Sequence, residues 1–454
     1  MTERLVVIGG DAAGMTAASR ARRRRAPDDL EIVAFERGPY TSYSACGIPY
    51  FVGDLVTDID ELIARTPEEH RRNGIDVRTE HDVVGIDVDR RRVRVRDVSA
   101  AGGAERDEPF DQLVVATGAV PFRPEVPGID ADGIFGVQTL ADGVAVRRAI
   151  DERAPDRAVI VGGGYIGLEM AEALVRRGLE VALIDLTEQP LAATLDADMG
   201  ALVAEALRAV AVTLHMGEPV DGFDTGGGAV RAVRTARRML PADVVVLGTG
   251  VRPETRLAEA AGIAIGDTGG IVTDSRMETS VDGVWAAGDC VETVDLVTGR
   301  RGVVPLGTHA NKQGRVVGIN ATGGDVRFPG VIGTAASKIC AYEVARTGVT
   351  DREAARAGID VVAATIEATS RAGYFPGAEP ITVKVLAERS TGRIVGAQIV
   401  GEEGAGKRID VLATAIWNRM HVDEVASLDL SYAPPFAPVW DPVLVAARKA
   451  ATML

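Results

Sequence analysis

Two blocks of apolar and polar positions along the chain share one layout. Near the N-terminus the apolar run Leu5-Val6-Val7-Ile8 meets Gly9-Gly10 and passes into a small-residue stretch from Ala12. A short apolar run bounded by glycine predicts a buried strand, and the stretch after it predicts a helix to about Arg25. A second strand over residues 30–35 then ends at Glu36. The layout recurs in Ala158-Val159-Ile160-Val161, Gly162-Gly163-Gly164, a helix to about Arg177, a strand over residues 181–184, and Asp185.

Strand, glycine turn, helix, strand, acid is the mononucleotide-binding unit. Glycine lets the backbone approach a pyrophosphate, whose charge sits at the helix N-terminus, and the acid accepts hydrogen bonds from ribose hydroxyls. The second copy has glycine at 162, 164 and 167, whereas the first keeps Gly9 and Gly14 but carries Asp11 between them. An Asp beside a pyrophosphate is unfavourable unless it turns away or is hydrogen-bonded.

Three further apolar runs end in small residues, at 113–118, 244–250 and 284–289, the last closing on Asp289. Spread over 300 residues, the set predicts two nucleotide-binding domains, one inserted in the other. After about Gly330 the texture changes. Residues 381–386 and 394–400 read as antiparallel strands around a Ser-Thr-Gly turn, followed by a helix over 407–419.

Composition narrows the classes. A chain of 454 residues, 46% hydrophobic and 25% charged, reads as soluble, globular and divided into two or three domains. No apolar run reaches the ~18 residues that span a bilayer, and MTERLVVIGG enters a strand without a signal-peptide layout. The net charge of −15 disfavours nucleic acid as a partner. Three cysteines argue for a reducing compartment, so the cytoplasm is expected, and no metal site is. The basic run Arg22-Arg23-Arg24-Arg25 is either a solvated helix end or a cradle for a phosphorylated small molecule.

Seven stretches then carry a resemblance: SYSACGIPY around Cys46, ATG at 116–118, GGGYIGLEMAEAL at 162–174, AAGDC at 286–290, PLGTHANKQGR at 305–315, YFPG at 374–377 and YAPPF at 432–436. Together they resemble the flavin-dependent pyridine nucleotide–disulfide oxidoreductases over essentially the whole chain. Within that superfamily the chain is similar to the single-cysteine branch of coenzyme A disulfide reductases and their NADH oxidase and persulfide reductase relatives.

The resemblance implies an α/β fold of two Rossmann-like nucleotide-binding domains, with the NAD domain inserted in the FAD domain, plus a C-terminal α+β dimerisation domain. The expected boundaries are 1–113 and 247–328 for the FAD domain, 114–246 for the NAD(P)H domain and 329–454 for dimerisation. FAD would be held by Gly9, Ala13, Gly14, Glu36, Arg37, Ser42, Val83, Ala116, Thr117, Gly118, Arg123, Gly288, Asp289, Leu306 and Ala310. NAD(P)H would be held by Gly162, Gly164, Tyr165, Ile166, Gly167, Asp185 and Gly250, with Tyr165 covering the flavin until the nicotinamide enters. Asp185 followed by Leu186-Thr187-Glu188-Gln189 offers no cation for a 2′-phosphate, so NADH is the expected donor and NADPH the alternative.

Dual-cysteine relatives carry two cysteines five positions apart, but positions 41 and 51 here are Thr and Phe. Cys290 and Cys340 read as packing residues. Cys46 is therefore expected to cycle between a thiolate and either a mixed disulfide or a sulfenic acid. Gly47-Ile48-Pro49 can open a short helix, whose N-terminus is expected to lower the thiol pKa.

The implied homodimer completes each site with Tyr374 and Tyr432 from the neighbouring chain as catalytic phenols. Arg20, Arg23, Ser42, His309 and Asn311 match substrate-side positions, which makes coenzyme A disulfide the expected substrate. The alternative is an NADH oxidase or persulfide reductase working through a Cys46 sulfenic acid or persulfide. Two departures bear on the choice. Ala12 stands where peroxidase-type relatives place a histidine, and Ala45 stands where coenzyme A disulfide reductases commonly have Asn.

Overall fold

The strand Glu3–Ile8 is covered on both faces, which is why its sequence reads as a continuous apolar run. In the computed structural model, which describes residues 2–99 and 103–454, it is the middle of a five-stranded sheet. Leu30–Phe35 and Gln112–Val115 pair with it in parallel, and Asp76–Arg78 and Val284–Ala286 form the edges, also in parallel. The second sheet repeats this plan around Arg157–Val161. Its order is Thr213–His215, Glu180–Ile184, Arg157–Val161, Val244–Leu247, Ile134–Gly136, all parallel. In both sheets the strand order reverses beside the first strand, so both glycine turns lie at a switch point where ligands bind.

The repetition goes further than the sequence pattern indicates. Each sheet is interrupted, before the last of its strands to pair directly with its central strand, by a three-stranded antiparallel meander. The first is His81–Asp87, Arg92–Asp97 and Glu105–Pro109, and the second is Val220–Gly226, Ala229–Thr235 and Met239–Pro241. The chain leaves the first domain through Ala119–Pro121 and returns through Val251–Pro253, which pair antiparallel as a two-strand neck. One nucleotide-binding fold is thus inserted in the other.

The helix Ala12–Arg22 packs along Gly307–Asn320 at close range because the contact residues are small. A Cβ on Gly314 or Gly318 would run into the carbonyl oxygen of Ala13 or Ala17. This packing carries the residues after Val304 back beneath the first glycine turn.

The last third of the chain forms an antiparallel sheet in the order Ala335–Ile339, Tyr342–Gly348, Ile394–Gly401, Pro380–Glu388, Val361–Thr369. The helices Ile409–Trp417 and Pro442–Ala451 bury apolar faces on it. The helix expected over 407–419 begins as the 3-10 turn Gly406–Arg408. A polar bolt joins this sheet to the second domain. Lys384, only 5% exposed, places Nζ 3.1, 3.0 and 2.9 Å from carboxylates of Asp196, Asp198 and Asp351, and Gln398 Nε2 donates to Asp196 at 2.6 Å. A buried amine is tolerated only when paired in this way. No helix among the described residues is long and apolar enough to cross a membrane.

Candidate active site

The two glycine turns share their backbone geometry and their clamp. Gly9 and Gly162 both have φ of +109°, a left-handed value that an L side chain resists. The acid closing the following strand then clamps each turn. Glu36 accepts from the N–H of Gly10 at 2.8 Å and of Gly38 at 2.7 Å. Asp185 accepts from the N–H of Gly163 and, at 2.6 Å, from the N–H and hydroxyl of Thr187. The clamp holds each acid at the lip of its turn, where a ribose would lie.

The turns differ at the middle position. A Cβ on Gly164 would meet nothing closer than 3.8 Å, so internal packing does not require glycine there and the room faces outward. At Asp11 the side chain turns aside and accepts from the N–H of Tyr43 at 3.2 Å. Burial raises the Asp11 carboxyl to about 7, with Glu36 and Asp289 adding to the rise.

That contact is one of three that lace residues 41–43 onto the turn. Thr41 Oγ1 donates to the Gly10 carbonyl, and the Ser42 N–H donates to the same oxygen at 2.9 Å. Ser42 takes φ of +49°, and its hydroxyl meets Nε2 of the buried His70 at 2.9 Å. Burial lowers His70 to about 4, which keeps it neutral.

Cys46 follows in the 3-10 turn Ala45–Gly47, ahead of the five-residue helix Ile48–Val52, and its thiol is exposed and unpaired. The expected fall in its pKa is not what the chain itself produces. Partial desolvation by the surrounding chain, then Glu169 and Asp289, push the thiol up from its ordinary value. A helix of one turn gives a weak dipole, and desolvation together with these acids outweighs it. Glu169 projects from the helix Tyr165–Arg176 and accepts from Ser337 Oγ at 2.5 Å. Cys290 and Cys340 are buried in the core, as expected of packing residues.

The arginine run separates by role. Arg22 bonds the carbonyls of Gly74, Arg25 and Leu30, Arg24 bonds Thr322, and Arg25 pairs with Glu3. Among the described residues Arg20 and Arg23 make no ion pair, and Nε of Arg20 is buried without a partner. His309 is buried against the Val304 carbonyl, which leaves little of it for a substrate, while Asn311 bridges the two small-residue helices through Thr16 at 2.7 Å. Tyr374 and Tyr432 adjoin each other and are 78% and 48% exposed, and Phe436 and Trp440 are exposed as well. Partial desolvation and the adjoining Tyr374 phenol raise Tyr432 above the usual value. Among the described residues neither phenol hydrogen-bonds Cys46 of its own chain.

Residues 3–314 match the pyridine nucleotide-disulphide oxidoreductase family, and residues 334–442 match its dimerisation domain. The chain belongs to this family. An NAD(P)H sulfur oxidoreductase (CoA-dependent) of Pyrococcus abyssi is 40% identical over 98% of this chain and 97% of its own. Coenzyme A disulfide reductase of Staphylococcus aureus is 30% identical over 96% of both chains. The structure of an NAD-dependent persulfide reductase from A. fulgidus superposes with a TM-score of 0.95 and 41% identity, over 99% of this chain and 83% of that one.

As a pyridine nucleotide-disulphide oxidoreductase the chain is an NAD(P)H-dependent enzyme that uses FAD, and its residues fit both groups. Asp289 is raised to about 6 by burial alone, and among the described residues no donor reaches its carboxylate. That leaves the carboxylate free to accept from a hydroxyl of a bound cofactor. Gly288, with φ of +92°, brings the backbone ahead of Asp289 against Ala13 and Ala310. Glu36, Arg37 and Arg123 line a cleft of about 470 Å³ on the flank of the first turn. Thr117 donates to the Glu254 carbonyl at 2.5 Å, and Gly118 and Gly250 open onto free space. Val83 lies inside the first core, and Leu306 caps the helix that starts at Gly307. Among the described residues the Tyr165 hydroxyl is buried without a partner. Sequence reasoning missed His70 and Glu169. Only the packing of distant helices brings them to Ser42 and Cys46, so no local signal marks them.

Proposed function

We propose that the protein is a homodimeric, FAD-dependent reductase that passes electrons from NAD(P)H to Cys46 and thence to a low-molecular-weight disulfide, coenzyme A disulfide foremost. The observation that carries this reading is the exposed, unpaired Cys46 in a segment hydrogen-bonded onto the first dinucleotide turn. A thiol placed there with no internal partner takes its second sulfur, or in an oxidase an oxygen, from outside the chain.

Bound FAD supplies the two-electron link between NAD(P)H and sulfur. Cys46 as thiolate attacks one sulfur of R–S–S–R, forming Cys46–S–S–R as the original S–S bond breaks. The departing thiolate takes a proton, for which Tyr374 and Tyr432, reaching across the dimer, are the donors. Two electrons and a second proton then free the other RSH and restore Cys46. NAD(P)H, one proton and R–S–S–R thus give NAD(P)⁺ and two RSH. Because desolvation, with Glu169 and Asp289, opposes ionisation of the thiol, the thiolate depends on what binds beside it. Arg20 and Arg23, uncommitted within the chain, would hold the phosphates of a nucleotide thiol. Asp185 favours NADH, and a reducing cytoplasm suits the three free thiols.

A persulfide offers Cys46 the same kind of S–S bond. The likeness to the persulfide reductase, together with Ala45, supports this second reading. The test is anaerobic reduction with NADH followed by coenzyme A disulfide, coenzyme A persulfide or oxygen. Fast reoxidation by the disulfide, with a coenzyme A adduct on Cys46 by mass spectrometry, is the expected result. Preference for the persulfide supports the second reading. Rapid oxygen consumption with indifference to both sulfur compounds overturns both.

A further inference from the structure

The Cys46 segment is held at both ends, and by different domains. Its N-terminal end is laced to the first glycine turn through Thr41, Ser42 and Tyr43. At its C-terminal end the helix Ile48–Val52 stops with carbonyl groups that have no further helix to bond them. Three arginines of the inserted domain take those carbonyls. Arg147 donates to Phe51 O at 2.7 Å, Arg177 to Val52 O at 3.1 Å and Arg176 to Gly53 O at 3.3 Å.

The arginines are themselves set in place. Arg147 stacks its guanidinium 4.4 Å from the centre of the Phe51 ring. Asp54, held at φ of +59°, receives Arg147 at 2.6 Å and Arg177 at 3.2 Å. Asp151 closes the group by pairing with both arginines. Arg176 and Arg177 end the same helix that carries Tyr165 and Glu169 at its other end.

We propose that the Arg147–Asp54–Arg177 clasp is a positioning device that fixes Cys46 relative to the two nucleotide-binding domains. The inference rests on Cys46 being the redox residue. Two features favour position over charge. The cations of Arg147 and Arg177 are matched by the carboxylates of Asp54 and Asp151, so the group projects little net field toward the thiol. It also binds through forked guanidinium contacts to carbonyls and carboxylates at once, which an ammonium cannot reproduce.

The experiment uses the flavin-loaded enzyme and follows the long-wavelength charge-transfer absorbance between the Cys46 thiolate and oxidised FAD, per bound flavin, across a pH titration. Variants are Arg147→Lys, Arg177→Lys and the double Arg147→Met/Arg177→Met, with exposed Arg148→Met as control. The expected result is a severalfold loss of the band in the double variant, an upward shift of its titration, and failure of either Lys variant to restore it. Flavin reduction by NADH should change less than twofold. If the double variant does not retain FAD, the two Lys variants decide. An unchanged band and titration in Arg147→Lys and Arg177→Lys overturns the clasp. Absence of any band that Cys46→Ser abolishes in the parent enzyme overturns the Cys46 reading itself, a separate outcome.

Discussion

The backbone N–H of Tyr43 donates to Oδ1 of Asp11 at 3.2 Å. The one residue that breaks the first glycine pattern is thereby one of the two, with Gly10, that bind the Cys46 segment to the turn. What looks like a defect for pyrophosphate binding is a tether, and burial keeps its charge low by raising the carboxyl to about 7.

That rise has a consequence for stability. Between an unfolded pKa of ~3.9 and a folded value of about 7, the native state binds the extra proton, so this group makes stability fall as pH rises through that window. The slope from one group is at most about 1.4 kcal/mol per pH unit. Asp11→Asn stays neutral throughout and should flatten the dependence. Urea midpoints at several pH values between those limits measure it, and identical pH profiles for the two proteins would refute the assignment.

Tyr432→Phe and Tyr374→Phe address the proton supplied to the departing thiolate. Loss of a positioned proton donor lowers turnover by roughly 10²-fold. Disulfide turnover should fall on that scale while rapid-mixing reduction of the flavin by NADH is unaffected. A double variant no slower than either single one would show the paired phenols acting as a unit.

Lys384 bolts the NAD(P)H domain to the dimerisation domain, and its removal leaves Asp196 buried without its cation. Breaking one side of a buried ion pair costs about 3–5 kcal/mol. Lys384→Met should lower the thermal unfolding temperature accordingly, and adding Asp196→Asn should recover part of the loss. A Tm within error of the parent would place this bolt outside the cooperative core.

Leu186 is 74% exposed beside the clamped Asp185. Leu186→Arg places a cation where a 2′-phosphate would lie, and the ratio of kcat/KM for NADPH to that for NADH should rise at least about tenfold, or 1.4 kcal/mol. Steady-state kinetics with both donors decides it, and an unchanged ratio would put the ribose elsewhere.

What could be read from the chain was whatever is local. Gly9, Gly14, Gly162, Gly164 and Gly167 announce their turns because backbone geometry is decided within a few residues, and Glu36 and Asp185 follow at the end of the next strand. The environment of Cys46 was not legible. Desolvation by the surrounding chain, with Glu169 more than a hundred residues away, reverses the sign expected from the local helix. The arginine clasp was hidden for the same reason, since nothing near Phe51 hints at Arg147 or Arg177. The paired meanders escaped notice because short antiparallel strands carry weak periodicity beside long buried ones.

Tyr374 and Tyr432 stand together on the surface of a domain that Cys46 does not share. If each protomer lends its phenols and keeps its thiol, a lesion in one can be masked by an intact copy of the other. Two inactive variants, Cys46→Ser and Tyr432→Phe, mixed as unfolded chains and reassembled, would then form hybrids with one whole site between them. Random pairing makes half the dimers hybrid, so about a quarter of the sites would regain full turnover. Complementation of this kind is genetic as well as biochemical. Two defective alleles in one cell could support what neither supports alone.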